Sequence, residues 1–522
     1  MLSSLVLITV FLLQWRYGFN WADEGWLWYG SQRTALAEVP LRDFFSYDPG
    51  RYYWSAFVFK IVGNNGFFEQ LLANYLFATI GVALTYLAML HAGMGGMWRL
   101  SILLLLGLVS GFPRHKIYEQ TLSLLAVAAI AFLFAAPQRL KRWLLLGALT
   151  GLAAFVGRNS GLFCLIAGVI AFGLLSKRSS RPAVAPVCAA FGIGMILGYA
   201  PMIFMFIFVH NFFRPFFQSV LLTPHWAWSL PIPFPWHVHL NSLHGIDLLQ
   251  ARAVSWLCIA VPLTYALLMW RAVRSNTQLS PVESLAVGAS CAGAGFLVHA
   301  FYTADFFHIA QGVVPLVVAG GAFSAHLWHT GARRSSLAVV CLLASLVLAC
   351  WLPMEPLVQY FRAETRAPDG VRQINIGGDS FTVPVQQAAV METVANLFRN
   401  CGAHDGGFLA APYYPGLYAY LGTRSPLWDT YFLWHRPEEI QKTEIAALRE
   451  YPTSLVLLNA ASAMNGREGL KLENTNPNLL QYIVSHYQPS DLKLPDGFEL
   501  YYSPQECKNA APTTLPESKP SF

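Results

Sequence analysis

The sequence predicts a polytopic α-helical membrane protein of about eleven transmembrane helices with a C-terminal periplasmic α/β domain. Three observations predict it. The 522 residues are 55% hydrophobic and only 12% charged, about half the charge of an ordinary soluble domain. Long apolar runs alternate with short basic connections. From residue 353 the pattern changes to short mixed segments of helix and strand period. The net charge of +6 therefore reads as membrane topology and does not call for a nucleic-acid partner.

Leu2 to Leu13 is a short apolar run without a basic leader, and Tyr17-Gly18-Phe19 is a poor signal cleavage site. We read it as a first, short membrane helix. Further spans follow at about 67–91, 99–112, 118–136, 143–157, 160–176, 184–209, 253–270, 282–301, 309–328 and 336–352. Every second connection carries Arg or Lys and no acid: Arg99; Arg139, Lys141 and Arg142; Lys177, Arg178 and Arg181; Arg271 and Arg274; Arg333 and Arg334. The positive-inside rule places these in the cytoplasm. Residues 16–66 and everything after 353 then lie outside. The chain has no N-x-Ser/Thr sequon, which favours a bacterial inner membrane and periplasm over an ER lumen.

The division expected is a membrane module over 1–352, a periplasmic α/β domain over 353–507 and a disordered Pro/Ser/Lys-rich tail over 508–522. Six cysteines fall in apolar runs; Cys401 and Cys507 lie in the polar part, where pairing stays open.

The first outer loop, 16–66, holds Asp23 and Glu24 in WADEGWLWYG and Asp48 in FFSYDPGRYYW. Acids among aromatics at a membrane face are costly without a task. Helix capping is the plain reading: Asp23 opens a helical stretch, and Asp48-Pro49 suits an N-cap followed by N1. Catalysis is the other. The outer side also carries cations that orientation does not require: Arg114, His115 and Lys116, Arg158 and Arg214, with Asp305 and His308 nearby in YTADFFHIAQG. The outer loop 210–252 is rich in Pro, Trp and His and fits an interfacial segment or a groove wall.

Glycosyl transfer uses such a set. A carboxylate can deprotonate an acceptor hydroxyl, and cations can stabilise a departing lipid phosphate. No nucleotide-binding fingerprint is present, so a polyprenyl-phosphate sugar is the economical donor. His210, His225, His237, His239 and His244 lack zinc-motif spacing. No cofactor is assigned, and a divalent metal stays open.

The order of ADEG, GSQRTALAEVPLRDFFSYDPGRYYWSAFVFKIVG, a hydrophobic bundle and a polar α/β tail resembles the GT-C superfamily of membrane glycosyltransferases. It is most similar to the bacterial branch related to glycosyltransferase family 39, which includes protein mannosyltransferases and the aminoarabinose transferase of lipid A. GALTGLAAFVGRNSGLF and YTADFFHIAQGVVPL resemble further segments of those proteins, while Ala37 stands where the first-loop pattern has Gly. The resemblance implies Asp23 as catalytic base, Glu24 as its helper and Asp48 as a later loop acid. It implies Arg114 and Lys116 at the donor phosphate, where Arg158 and Arg214 are further candidates by their outer-face charge, and Glu119, Asp305 and His308 as possible site residues. The acceptor would be a periplasmic envelope glycan or a lipid-linked hydroxyl. An O-antigen polymerase or ligase would place its large domain mid-chain. A lipid or sugar transporter or flippase would show repeats and charges deep in helices. Neither pattern is present.

Overall fold

The computed structural model describes residues 2–177, 183–222, 234–235, 244–274, 279–302, 306–352, 355–366, 370–401, 407–451, 453–462, 468–503 and 507. Asp305, His225, His237, His239 and the tail 508–522 lie outside the described residues. The membrane part runs α1 (Leu2–Gln14), α2 (Asp23–Ala35), α3 (Pro49–Val62), α4 (Phe67–His91), α5 (Gly96–Ser110), α6 (Ile117–Ala135), α7 (Leu140–Val156), α8 (Arg158–Ser176), α9 (Val184–Phe208), α10 (Phe213–Leu222), α11 (Gly245–Arg274), α12 (Pro281–Tyr302), α13 (Phe306–His329) and α14 (Arg333–Cys350). Each of the eleven expected spans is a helix. Among the described residues, eight are long and apolar enough to cross a membrane, and α1 and α5 are shorter apolar helices. Helices α1, α5 and α7, of 13, 15 and 17 residues, are short against a hydrocarbon core of about 30 Å at about 1.5 Å per residue.

The first outer loop is itself helical. α2 and α3 fold back on each other, and Gly63, at φ +81°, ends α3 where a side chain would be strained. Their buried faces carry Trp26, Leu27, Trp28 and Tyr29 from α2, and Tyr52, Val58 and Phe59 from α3.

α7 and α9 meet through small residues. A Cβ built at Gly147 would overlap the carbonyl oxygen of Phe191, and one at Gly151 that of Met195. On α9, Gly194 and Gly198 face the carbonyls of Leu144 and Ala148 in the same way. This is small-xxx-small packing of membrane helices. Gly151→Leu is expected to force the backbones apart and destabilise the fold by about 1–3 kcal/mol or more. Gly192→Leu, on the same α9 but with open space around it, should leave the fold intact. Thermal unfolding followed by size-exclusion chromatography reads the difference.

After α14 come α15 (Pro356–Arg366), β1 (Val371–Ile376), β2 (Asp379–Pro384), α16 (Val385–Asn400), β3 (Phe408–Ala411), α17 (Gly416–Leu421), α18 (Glu438–Glu450), β4 (Leu455–Leu458), α19 (Leu472–Thr475), α20 (Pro477–His486), β5 (Gln488–Pro489) and β6 (Glu499–Tyr502). β1 and β2 form an antiparallel hairpin. The main sheet has the order β3-β4-β6-β5, with β3 and β4 parallel and the rest antiparallel. A disulfide joins Cys401 to Cys507, which answers the pairing that spacing left open.

This unit packs onto the first outer loop. Thr382 exchanges backbone bonds with Arg16 and Gly18. The Phe45 amide donates to the Trp428 carbonyl at 2.7 Å, and Ser425 donates to the Tyr29 hydroxyl at 3.0 Å. Nearby, Arg436 pairs with Asp429 in a buried cluster, and Glu444 accepts the Asp429 amide at 3.2 Å. Burial, then the Asp429 charge, pushes the Glu444 carboxyl up to about 8. The unfolded glutamate ionises near pH ~4.3. Between that pH and about 8 the unfolded chain loses a proton that the folded chain keeps, so stability falls as pH rises. Below the unfolded value the contribution is fully present. Glu444→Gln is expected to flatten this slope in a melting-temperature series across pH.

Candidate active site

The acids of the first outer loop sort by partner. Residues 16–66 contain five: Asp23, Glu24, Glu38, Asp43 and Asp48. Glu38 pairs with Arg33, and Asp43 with Arg42 at 2.8 Å. Glu24 grips Arg114, its two carboxylate oxygens accepting Nε at 2.6 Å and Nη2 at 2.8 Å. The remaining arms of Arg114 donate to the Tyr17 and Gly18 carbonyls at 3.0 and 2.9 Å. Asp48 accepts the Arg158 amide at 2.7 Å and its Nε at 3.0 Å. Among the described residues, Asp23 alone of the five has no arginine in ion-pair contact.

Asp48 stands at the N-cap of α3 with proline next, and Asp23 lies in the first turn of α2, but neither side chain makes a cap bond. At the entry to α2 the Asn20 side-chain oxygen accepts the amides of Ala22 and Asp23, and Glu24 reaches back to the Asn20 amide at 2.9 Å. Asp48 precedes α3 but makes no cap bond to it; its carboxylate goes to the start of α8. Asp23 is therefore released from the helix end it belongs to. Its Oδ1 accepts the Tyr413 hydroxyl at 2.9 Å, and its Oδ2 stands 3.7 Å from His115 Nε2. A third of its side chain remains exposed.

Its electrostatic setting follows. Burial by itself raises the Asp23 carboxyl, but the charges of His115 and Lys116 and the Tyr413 bond outweigh it. With His308 they hold the group below its ordinary value. Lys116 sits in the buried 3-10 turn Arg114–Lys116, where its charge acts on Asp23 and on Glu119.

That turn is held by a chain of buried polar side chains. Tyr118 and Ser55 share a bond of 2.9 Å, Gln70 donates to Ser55 and Asn74, and Asn74 donates to the Arg114 carbonyl at 3.2 Å. Arg51 binds Glu119 at 2.9 Å and the Val156 carbonyl at 3.1 Å, with the Tyr47 ring under its guanidinium. Burial works against that charge, yet the Glu119 carboxylate beside it keeps Arg51 firmly protonated.

The expected residues thus divide. Asp23, Lys116 and His308 come together, with Glu24 and Glu119 at the edges of the cluster. Of the arginines expected at the donor phosphate, Arg114 and Arg158 are each paired with a first-loop carboxylate, Glu24 and Asp48. Arg158 also donates to Ser219 at 3.1 Å; its Nη1 has no partner among the described residues. Arg214 lies apart. It shares the exposed face of α10 with Phe213, Phe217 and Leu221, opposite the buried Phe216, Ser219 and Leu222. No group of three or more His, Cys, Asp or Glu side chains is arranged to hold a metal among the described residues. Asn20, Arg51 and Tyr413 were missed. Asn20 carries a cap signal, three residues before Asp23. Tyr413, 390 residues away, carries none.

No family model and no curated protein matches the chain. Several solved structures are similar, among them the following. ArnT from Cupriavidus metallidurans bound to undecaprenyl phosphate has 10% identity and a TM-score of 0.47, with 96% of each chain covered. The same protein in the apo state has 12% identity, a TM-score of 0.47 and the same coverage. The Archaeoglobus fulgidus oligosaccharyltransferase, tethered to an acceptor peptide, has 10% identity and a TM-score of 0.45, over 96% of this chain and 73% of that one.

Proposed function

We propose that the chain is a membrane glycosyltransferase that moves a sugar from a polyprenyl-phosphate donor to a hydroxyl of an envelope glycan or lipid-linked acceptor, with Asp23 as general base. The observation that carries this reading is the sorting of acids. Every other acid of the first outer loop is neutralised by arginine, while Asp23 is partly open, ionised and flanked by Lys116 and His115.

The chemistry balances without a covalent intermediate. The acceptor oxygen attacks the anomeric carbon and its proton passes to Asp23. The bond from that carbon to the phosphate oxygen breaks, and the electron pair leaves with polyprenyl phosphate. A phosphate is a good leaving group whose growing charge needs a cation. Lys116 supplies a point charge on the same side as the base. Glu24 acts at one remove: by fixing Arg114 it holds the turn that carries His115 and Lys116. The Cys401–Cys507 disulfide supports an oxidising, extracytoplasmic setting for the α/β unit, in line with the basic connections at the other end of the bundle.

The test uses the purified full chain in lipid nanodiscs with polyprenyl-phosphate-linked hexoses and pentoses and hydroxyl acceptors. Release of polyprenyl phosphate that requires Asp23 is the expected result. Folded protein that consumes no donor of this class, or that works equally well with Asp23→Asn, would overturn the reading.

A further inference from the structure

Among the described residues, the one neutral hydrogen bond to the Asp23 carboxylate comes from the far end of the chain. Tyr413 belongs to Pro412–Gly416, the connection between β3 and α17. This connection is seated on the start of α2. The Gly416 amide donates to the Trp21 carbonyl at 2.8 Å. Gly25 and Gly416 approach so closely that a Cβ on Gly25 would overlap the Gly416 backbone. The Tyr413 ring lies against Tyr431 at 4.0 Å and Trp26 at 6.1 Å between centroids. Tyr431 is fixed in turn: its amide donates to Asp429, and Arg436 donates to its carbonyl. The ring is thus clamped on both sides and its hydroxyl points at Asp23.

A ring placed only for packing does not need that hydroxyl, because phenylalanine fills the same space. Buried hydroxyls are retained where they have a partner, and here the partner is Asp23 Oδ1 at 2.9 Å. Burial, with the Asp23 charge beside it, pushes the Tyr413 phenol well above its ordinary range. It therefore stays a donor throughout the physiological range.

We propose that Tyr413 is a positioning residue of the transfer site: through it the C-terminal α/β unit fixes the Asp23 carboxylate, occupying Oδ1 and leaving Oδ2 to take the acceptor proton. This rests on Asp23 being the base. It makes the α/β unit a component of the site, because the first outer loop alone leaves the carboxylate free to rotate. Orientation of a reacting group is worth orders of magnitude in rate.

Two readouts separate this inference from the proposed function. The first needs no substrate. Infrared difference spectra of the full chain in nanodiscs, taken against Asp23→Asn, follow the Asp23 carboxylate across pH. The other groups facing it are His115, Lys116, His308, Tyr47 and Tyr431; Tyr431 also bonds the Tyr413 hydroxyl, so Tyr431→Phe is the control that separates the loss of that contact from the loss of the bond to Asp23. Losing a donor to the ionised form raises a carboxyl's titration point. Tyr413→Phe is therefore expected to move the Asp23 transition to higher pH. 3,5-Difluorotyrosine at position 413, a more acidic donor, should move it lower and covers the case in which the phenylalanine variant does not fold. The second readout is transfer from the polyprenyl-phosphate-linked hexose and pentose donors. Tyr413→Phe should lower kcat about tenfold or more, with the donor KM unchanged.

An Asp23 transition that neither variant moves overturns the positioning role. So does a shifted transition with unchanged kcat. If wild-type chain transfers nothing from these donors, the proposed function fails, and the infrared shift alone then decides whether the bond positions Asp23.

Discussion

Asp23→Asn is expected to lower kcat about 10²–10⁴-fold, the contribution of a positioned general base, with little change in the donor KM. Asparagine keeps the shape of the side chain and can still accept the Tyr413 hydroxyl, which now stands 2.9 Å from Oδ1. It cannot take a proton from the acceptor. The pH profile of the wild-type chain carries the same signature. The charges of His115 and Lys116, with the Tyr413 bond, hold the base below its ordinary value, so the acid limb of kcat/KM should fall below the usual aspartate range of about 3.9. Activity should persist as pH drops until Asp23 is protonated. A limb at or above that range would mean that another group limits the reaction.

The second large effect is on stability. Glu24 and Arg114 form a buried pair with side chains 6% and 3% exposed. Replacing one partner leaves the other as an uncompensated buried charge, at a cost of about 3–5 kcal/mol. Arg114→Leu and Glu24→Leu should each lower the melting temperature sharply, whereas the two combined should recover much of the loss. That double-mutant cycle distinguishes the pair from a donor site. An arginine that held the phosphate would change donor KM at constant stability. Arg114→Leu is instead expected to reduce the amount of folded protein, because the turn carrying His115 and Lys116 loses its anchor to Tyr17, Gly18 and Glu24.

How much of this was legible in the sequence follows from the range of the interactions. Asp23 does open α2, but the side chain that accepts the entry amides is that of Asn20, three residues earlier. Asn20 was visible, but whether its side chain or that of Asp23 closes the helix depends on the turn between them. The pairing of the outer-face arginines was not legible for a different reason. Arg114 and Glu24 are 90 residues apart, Arg158 and Asp48 are 110 apart, and Arg51 and Glu119 are 68 apart. Charge counting along the chain registers that cations exceed what orientation requires. It does not register which of them a carboxylate has already claimed.

By itself the sequence determined the helical spans, the first outer loop as a distinct unit, and the change to a mixed α/β segment after 353. These rest on local quantities: the length of an apolar run against the thickness of a bilayer, and the period of the pattern within it. Only the tertiary structure decided which acid stays unclaimed. Three folding contacts withdrew Glu24, Asp48 and Glu119 into arginine pairs, and a tyrosine from the α/β unit turned to Asp23. The difference is physical. Burying an unpaired charge is expensive enough that folding pairs charges wherever geometry permits. The acid that keeps a different kind of partner can be recognised only once all the others have found theirs.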